Sequence, residues 1–283
     1  MKKIKYFIQF LLIIILLLIY KILGLKISNF LSGKIFSFIG PFFRSRDISH
    51  QNLINAFPNI DKKDRNIILK KMWFNYGKIF SEYLYVKKIK NSNKITVENQ
   101  EILDAIKKDG EPVIFISGHF NNFELMAMHI EKSGIDLAAI YRPLNNIFLN
   151  PLMEKIRKTH ICKKQIKKGI SGTKQILKNF KDGTSIALMI DQRVSEGIKS
   201  KFFGKDAFTT TIPAQFVKKF GTRIVPIYIE RKIDESFNLI VYEPIKYQKE
   251  DSIETITSNL NEILEKMIIR NPEQWIWTHN RWK

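Results

Sequence analysis

The stretch PVIFISGHFNNFELMAMHIEKSG, residues 112–134, decides how this 283-residue chain is read. Its first six residues are an apolar run of strand length that ends at Ser117. Gly118 then allows a tight turn, which leaves His119 at the strand's carboxyl end. Beyond it Phe123, Met126, Ala127 and Ile130 recur at i, i+3, i+4 and i+7, one face of a helix. Asn121 or Asn122 is the expected cap and Gly134 the stop. Similar apolar runs follow in DLAAIYR (136–142), SIALMID (185–191), IVPIYIE (224–230) and FNLIVYE (237–243), separated by helix-like stretches. Buried strands alternating with helices imply a sheet covered on both faces, the α/β class. Residues 49–90 read as helical, with Trp73, Phe74 and Tyr76 on an amphipathic helix.

Toward the N-terminus the character changes. Residues 6–20, YFIQFLLIIILLLIY, carry one strongly polar side chain, Gln9, and the apolar character resumes after Lys21. Tyr6 to Leu25 as a helix spans roughly 30 Å, the thickness of a hydrocarbon core. A membrane helix is expected over 1–25, then a juxtamembrane connection over 26–48 and one domain over 49–283. No small-x-small pattern follows Leu25, so the segment is expected to stay uncleaved. Lys21, Lys26, Lys34, Arg44 and Arg46 outnumber Lys2, Lys3 and Lys5, which favours a cytoplasmic main domain or a helix that only dips into one leaflet.

Composition bounds the function. Forty-seven basic and 27 acidic residues leave a net charge of +20, yet 45% of residues are hydrophobic, which excludes a disordered polyelectrolyte. The charge calls for an acidic partner: nucleic acid, an anionic membrane, or an acidic protein or substrate. The lysines are dispersed in pairs and no nucleic-acid motif is present, so nucleic acid is the least favoured of these. Cys162 is the single cysteine, which removes intrachain disulfides and any Cys-rich zinc site.

His119 and Glu124 are the candidate catalytic pair. On one continuous helix they would stand about 140° apart, so they can meet only if His119 precedes the helix. A His held by a carboxylate can take a proton from a hydroxyl attacking an acyl carbonyl; a helix-capping cluster with an incidental His is the competing reading. There is no G-x-S-x-G elbow, P-loop or HExxH. Trp275, Trp277 and Trp282 suit either a packed core or an interfacial belt, and His279 among them is the more structural histidine.

Taken together, these blocks resemble the lipid A biosynthesis late acyltransferases of the lysophospholipid-acyltransferase-like superfamily. The resemblance runs from RSRDISHQNLINAFP (44–58) through GHFNNFE (118–124), YRPLNN (141–146), IDQR (190–193), FFG (202–204) and TTTIPAQFVKKFGTRIVPIYIERK (209–232) to PEQWIWTHNRWK (272–283). IDQR stands where the glycerophosphate acyltransferases usually show FPEGT-R, which favours the lipid A branch. It implies a mixed central sheet flanked by helices, an acyl thioester on acyl carrier protein as donor, and a hydroxyl of an anionic glycolipid, a lipid A precursor, as acceptor. No metal or cofactor is implied, and the location is the cytoplasmic face of a bacterial inner membrane. His119 would be the base and Glu124 its partner. Arg142 would lie near the oxyanion or an acceptor phosphate, with Asp191, Arg193 and Asn122 as further substrate-site residues. A different glycolipid or a lysophospholipid is the alternative acceptor.

Overall fold

The apolar runs pair side by side in one sheet, in a computed structural model that describes residues 2–43 and 46–283. Arg44 of the first sequence block lies outside the described residues. In chain order the elements are α1 (Lys2–Phe43), α2 (Arg46–Ala56), α3 (Lys62–Glu82), α4 (Val86–Lys90), β1 (Ile95–Glu98), α5 (Gln100–Asp109), β2 (Ile114–Ser117), α6 (Glu124–Lys132), β3 (Leu137–Tyr141), α7 (Leu149–Ile156), β4 (Lys164–Lys167), α8 (Ile170–Lys181), β5 (Ser185–Met189), β6 (Ile198–Phe202), β7 (Lys205–Thr209), α9 (Ile212–Phe220), β8 (Ile224–Arg231), β9 (Phe237–Val241) and α10 (Ile253–Arg270). The seven-stranded sheet runs β1-β9-β8-β2-β5-β3-β4, and its pairs are parallel except β8 with β9. It is a mixed α/β sheet, as the sequence resemblance implied.

Every residue of β2 is buried, so it sits at the centre of the core. Its neighbour β5 runs parallel with Ser117 opposite Met189. That register matters for the chemistry, because residues two beyond each partner, 119 and 191, leave the sheet side by side. The FFG block closes the separate β6-β7 hairpin: Phe203 and Gly204 both have positive φ, 50° and 71°, the two-residue turn whose twist suits paired strands.

The expected connection over 26–48 is helical as far as Phe43. Within α1, Gly24 leaves the helical region at φ 77° and ψ 166°, so Lys2–Leu23 and Leu25–Phe43 are two helical segments joined by a kink. The first is long and apolar enough to cross a membrane, and few of its side chains are buried. The second packs along α3 through small and polar side chains and through Phe36, whose ring meets Tyr76 and Phe80. Ser32 Oγ donates to the Gly77 carbonyl at 2.6 Å, and a Cβ on Gly77 would run into the Ser32 backbone.

One buried ionic network ties α1 and α3 to the sheet. Arg231 at the end of β8 donates to both Glu82 oxygens, at 2.7 and 3.0 Å, while Asn29 and Asn122 donate to the same carboxylate at 2.8 and 2.9 Å. Replacing Arg231 by Met strands the Glu82 charge in the interior and is expected to cost about 3–5 kcal/mol of stability. Adding Glu82→Leu to that variant should recover part of the loss, which denaturant unfolding of the two variants in detergent would show.

Candidate active site

His119 leaves β2 through Gly118, where a Cβ would come within 2.9 Å of the Phe120 ring and 3.3 Å of Asp191 Oδ2. The imidazole meets a carboxylate, but not that of Glu124. Its Nδ1 lies 2.8 Å from Asp191 Oδ1, and the His119 backbone N–H donates to Asp191 Oδ2 at 2.7 Å. Trp275 Nε1 donates to the same Oδ2 at 2.8 Å. Three donors therefore fix a carboxylate that is only 2% exposed. An acceptor at Nδ1 sets the tautomer: Nδ1 carries the proton and Nε2 presents its lone pair. Gln192 Nε2 stands 3.5 Å from that atom.

The electrostatics agree with this geometry. Burial disfavours the imidazolium, but the Asp191 charge and hydrogen bond, helped by Glu124, outweigh it and raise the His119 pKa above its ordinary 6.5. Burial works against the Asp191 carboxylate too, yet the His119 charge and the three donors hold its pKa down to about 2. A raised histidine pKa has a stability consequence of definite sign. The imidazolium's contribution is fully present below 6.5 and is lost as pH rises through the raised value.

Glu124, the first residue of α6, is occupied elsewhere. It accepts from Tyr83 Oη at 2.6 Å and from Arg157 Nε at 2.8 Å, and a second guanidinium nitrogen stands 2.6 Å away. Arg157 begins a wide last turn after α7, in which the Cys162 N–H reaches back five residues to the Arg157 carbonyl. Burial opposes its charge, but Glu124 and Tyr83 raise its pKa further. Sequence reasoning missed Arg157 and Tyr83 because nothing in local spacing links residues 83, 124 and 157.

His119, Glu124, Arg142, Arg157 and Lys168 line a cavity of about 390 Å³. Its other walls include Met126, Ala127, Ile130, Ile176 and Leu188, so a polar mouth opens onto an apolar interior. Arg142, just past β3, is exposed at that mouth. Three sequence expectations depart from this picture. Asp191 stands behind His119 and not in the cavity wall, its carboxylate taken up by the His119 ring, the His119 N–H and Trp275. Asn122 is buried and turned to Glu82. Neither it nor Asn121, whose side chain accepts from the Asn122 N–H, caps α6. Arg193 also lies outside the cavity wall: its guanidinium donates to the Lys283 carbonyl at 2.9 Å and to Ser195 at 3.1 Å.

The C-terminal block supports the site from beneath. Asn121 N–H donates to the Gln274 carbonyl at 2.7 Å, and Trp275 and Trp277 are fully packed in the core, which settles their role against an interfacial belt. His279 lines the cavity, but its Nε2 accepts from the Arg193 N–H at 3.1 Å and its carbonyl accepts from Asn52. Among the described residues no group of three or more His, Cys, Asp or Glu side chains is arranged to hold a metal ion.

The site is an imidazole at a strand end of an α/β sheet, backed by a buried carboxylate and facing a cavity with apolar walls. The comparisons with known proteins name the family. A family model described as bacterial lipid A biosynthesis acyltransferase matches residues 1–283, and the chain belongs to that family. It is 24% identical to a lipid A biosynthesis lauroyltransferase of Escherichia coli strain K12 over 257 residues, 85% of this chain and 79% of that protein. It is 25% identical to a lipid A biosynthesis acyltransferase of Haemophilus influenzae over 261 residues, 89% and 81% of the two chains. Against a lipid A biosynthesis palmitoleoyltransferase of Escherichia coli strain K12 it is 24% identical over 263 residues, 90% and 84% of the two chains.

Proposed function

We propose that this acyltransferase moves a fatty acyl group from an acyl carrier protein thioester to a hydroxyl of a lipid A precursor, with His119 as general base. The observation that carries this reading is the His119 and Asp191 pair at the mouth of an apolar cavity. The thioester's acyl chain occupies the apolar interior, which places its carbonyl beside Nε2. His119 Nε2 takes the hydroxyl proton as the acceptor oxygen attacks that carbonyl, forming a tetrahedral oxyanion. Collapse of the intermediate breaks the carbon–sulfur bond, and the imidazolium returns the proton to the departing thiolate. Asp191 keeps the proton on Nδ1 before attack and stabilises the imidazolium after it.

Arg157 supplies positive charge at the cavity wall, where it can favour the oxyanion. Glu124 then acts chiefly by holding Arg157, and the orienting role that the sequence suggested for it passes to Asp191. Arg142 and Lys168 at the mouth offer charge to an acceptor phosphate. Lys2–Leu23 anchors the enzyme in the inner membrane, with the site on the cytoplasmic face where acyl carrier protein is found. The test is acyl transfer by the purified full chain, given acyl carrier protein thioesters of several chain lengths and a lipid A precursor, with products read by mass spectrometry. One added acyl ester on the precursor is the expected product. Transfer only to lysophospholipid would overturn the choice of acceptor, and transfer from coenzyme A alone would overturn the donor.

A further inference from the structure

The second segment of α1, Leu25–Phe43, is built inside out for a helix on a protein surface. Its face against α3 carries the small or polar Ser28, Asn29, Ser32 and Gly33, with Phe36 among them packed on Tyr76 and Phe80. Its outward face carries Ile27, Phe30, Leu31, Phe38 and Phe42, of which Phe38 and Phe42 are 75% and 81% exposed. At 100° per residue these five side chains and Lys34 fall within one arc of about 120°. Surface helices in water bury the apolar stripe and expose the polar one; small residues between helices and large apolar ones outward is the arrangement of helices that face lipid.

Lys34 stands within this arc, and further basic groups lie beside it. Lys34, Lys70, Lys71 and Lys232 line an adjacent cleft of about 510 Å³, which also holds the Lys78 and Glu235 ion pair and Glu273. Ile233, at the tip of the β8-β9 turn beside the cleft, is fully exposed. The apolar arc is continuous through Gly24 with the membrane-length segment, and the kink frees it to follow a different axis.

We propose that Leu25–Phe43 lies in the headgroup and acyl boundary of an anionic bilayer leaflet. Phe30, Phe38 and Phe42 enter the acyl region, while Lys34, Lys70, Lys71 and Lys232 meet lipid phosphates. The occupant is the bilayer and not a second copy of the chain, because an apolar arc with basic groups in and beside it complements anionic lipid, whereas two copies would oppose like charges. The proposal rests on the reading of Lys2–Leu23 as a membrane anchor and adds a second attachment, which seats the catalytic domain against the surface that holds its acceptor.

Cys162 is fully buried, so a cysteine introduced at an exposed position is the one that labels in the folded protein. Full-length Phe38→Cys and Lys181→Cys carry an environment-sensitive fluorophore in vesicles of phosphatidylethanolamine and phosphatidylglycerol, with the labelled parent chain as blank. At position 38 the dye is expected to shift to the blue, lose roughly half its emission to nitroxides on the lipid acyl chains, and resist iodide. At position 181 it should stay open to iodide and be untouched by the lipid nitroxides. Adding Lys34→Glu and Lys71→Glu to the Phe38→Cys chain should weaken the lipid quenching at position 38. Protein that floats with the vesicles while the dye at 38 remains open to iodide would overturn this proposal and leave the anchor standing. Shielding from both quenchers, with cross-linking between chains, would replace the bilayer with a second copy. Failure to float at all would remove the anchor and this proposal together.

Discussion

His119→Asn is expected to lower the proposed acyl transfer, from acyl carrier protein thioester to a lipid A precursor, by about 10,000-fold, the upper range for a positioned base. Asparagine is the informative replacement because its amide can still donate to Asp191, so the buried carboxylate keeps a partner. Alanine should lose as much activity and also about 1–3 kcal/mol of stability, since it leaves that carboxylate short of a donor. Unfolding midpoints measured beside the rates separate the two effects. Transfer by a folded His119→Asn chain within tenfold of the parent would remove His119 from the chemistry.

Asp191→Asn carries the second large effect, about 1,000 to 10,000-fold, for a reason of geometry. The asparagine oxygen can still accept from Trp275 and the His119 backbone, which places its NH2 toward Nδ1. The imidazole must then accept at Nδ1 and carry its proton on Nε2, the wrong tautomer for a base facing the cavity. The fold should tolerate the change, because Asn is close to Asp in shape and Asp191 makes its contacts through hydrogen bonds. Glu124→Gln is expected to act differently: it loosens Arg157 and lowers the rate while His119 keeps its orientation.

Much of this was readable from residue order. The β2 run, the turn at Gly118, the strand-end position of His119 and the stop at Gly134 need only local chemistry, and each is found where that chemistry puts it. Four strands escaped notice: β1, a four-residue edge strand, and β4, β6 and β7, which spell KQIK, IKSKF and KDAFT, with lysines beside buried residues at an edge or in a hairpin. Their polarity reflects position in the sheet, which is a tertiary fact. The same holds for the partner of His119. The spacing of His119 and Glu124 is visible in any reading of the chain, whereas His119 beside Asp191 follows from the pairing of Ser117 with Met189, seventy-two residues apart. Asn121 and Asn122 look like helix caps because their residue types favour it; the buried network takes the Asn122 amide to Glu82 and the Asn121 oxygen to Arg231, and the Asn121 amide goes to Gln274.

The central claim is that Asp191, through Nδ1, makes His119 the base. The pH dependence of kcat/KM for acyl transfer, compared among the parent chain, Asp191→Asn and Glu124→Gln, tests it most directly. A base must be unprotonated, so the parent's rate should climb through a limb above the ordinary histidine value of 6.5. Burial favours the neutral ring once the Asp191 charge is gone, so in Asp191→Asn the limb should fall below 6.5, with the large loss of rate. In Glu124→Gln the limb should move down only slightly. A limb unmoved by Asp191→Asn, or one displaced mainly by Glu124→Gln, would contradict the account and make Glu124 the carboxylate that governs His119.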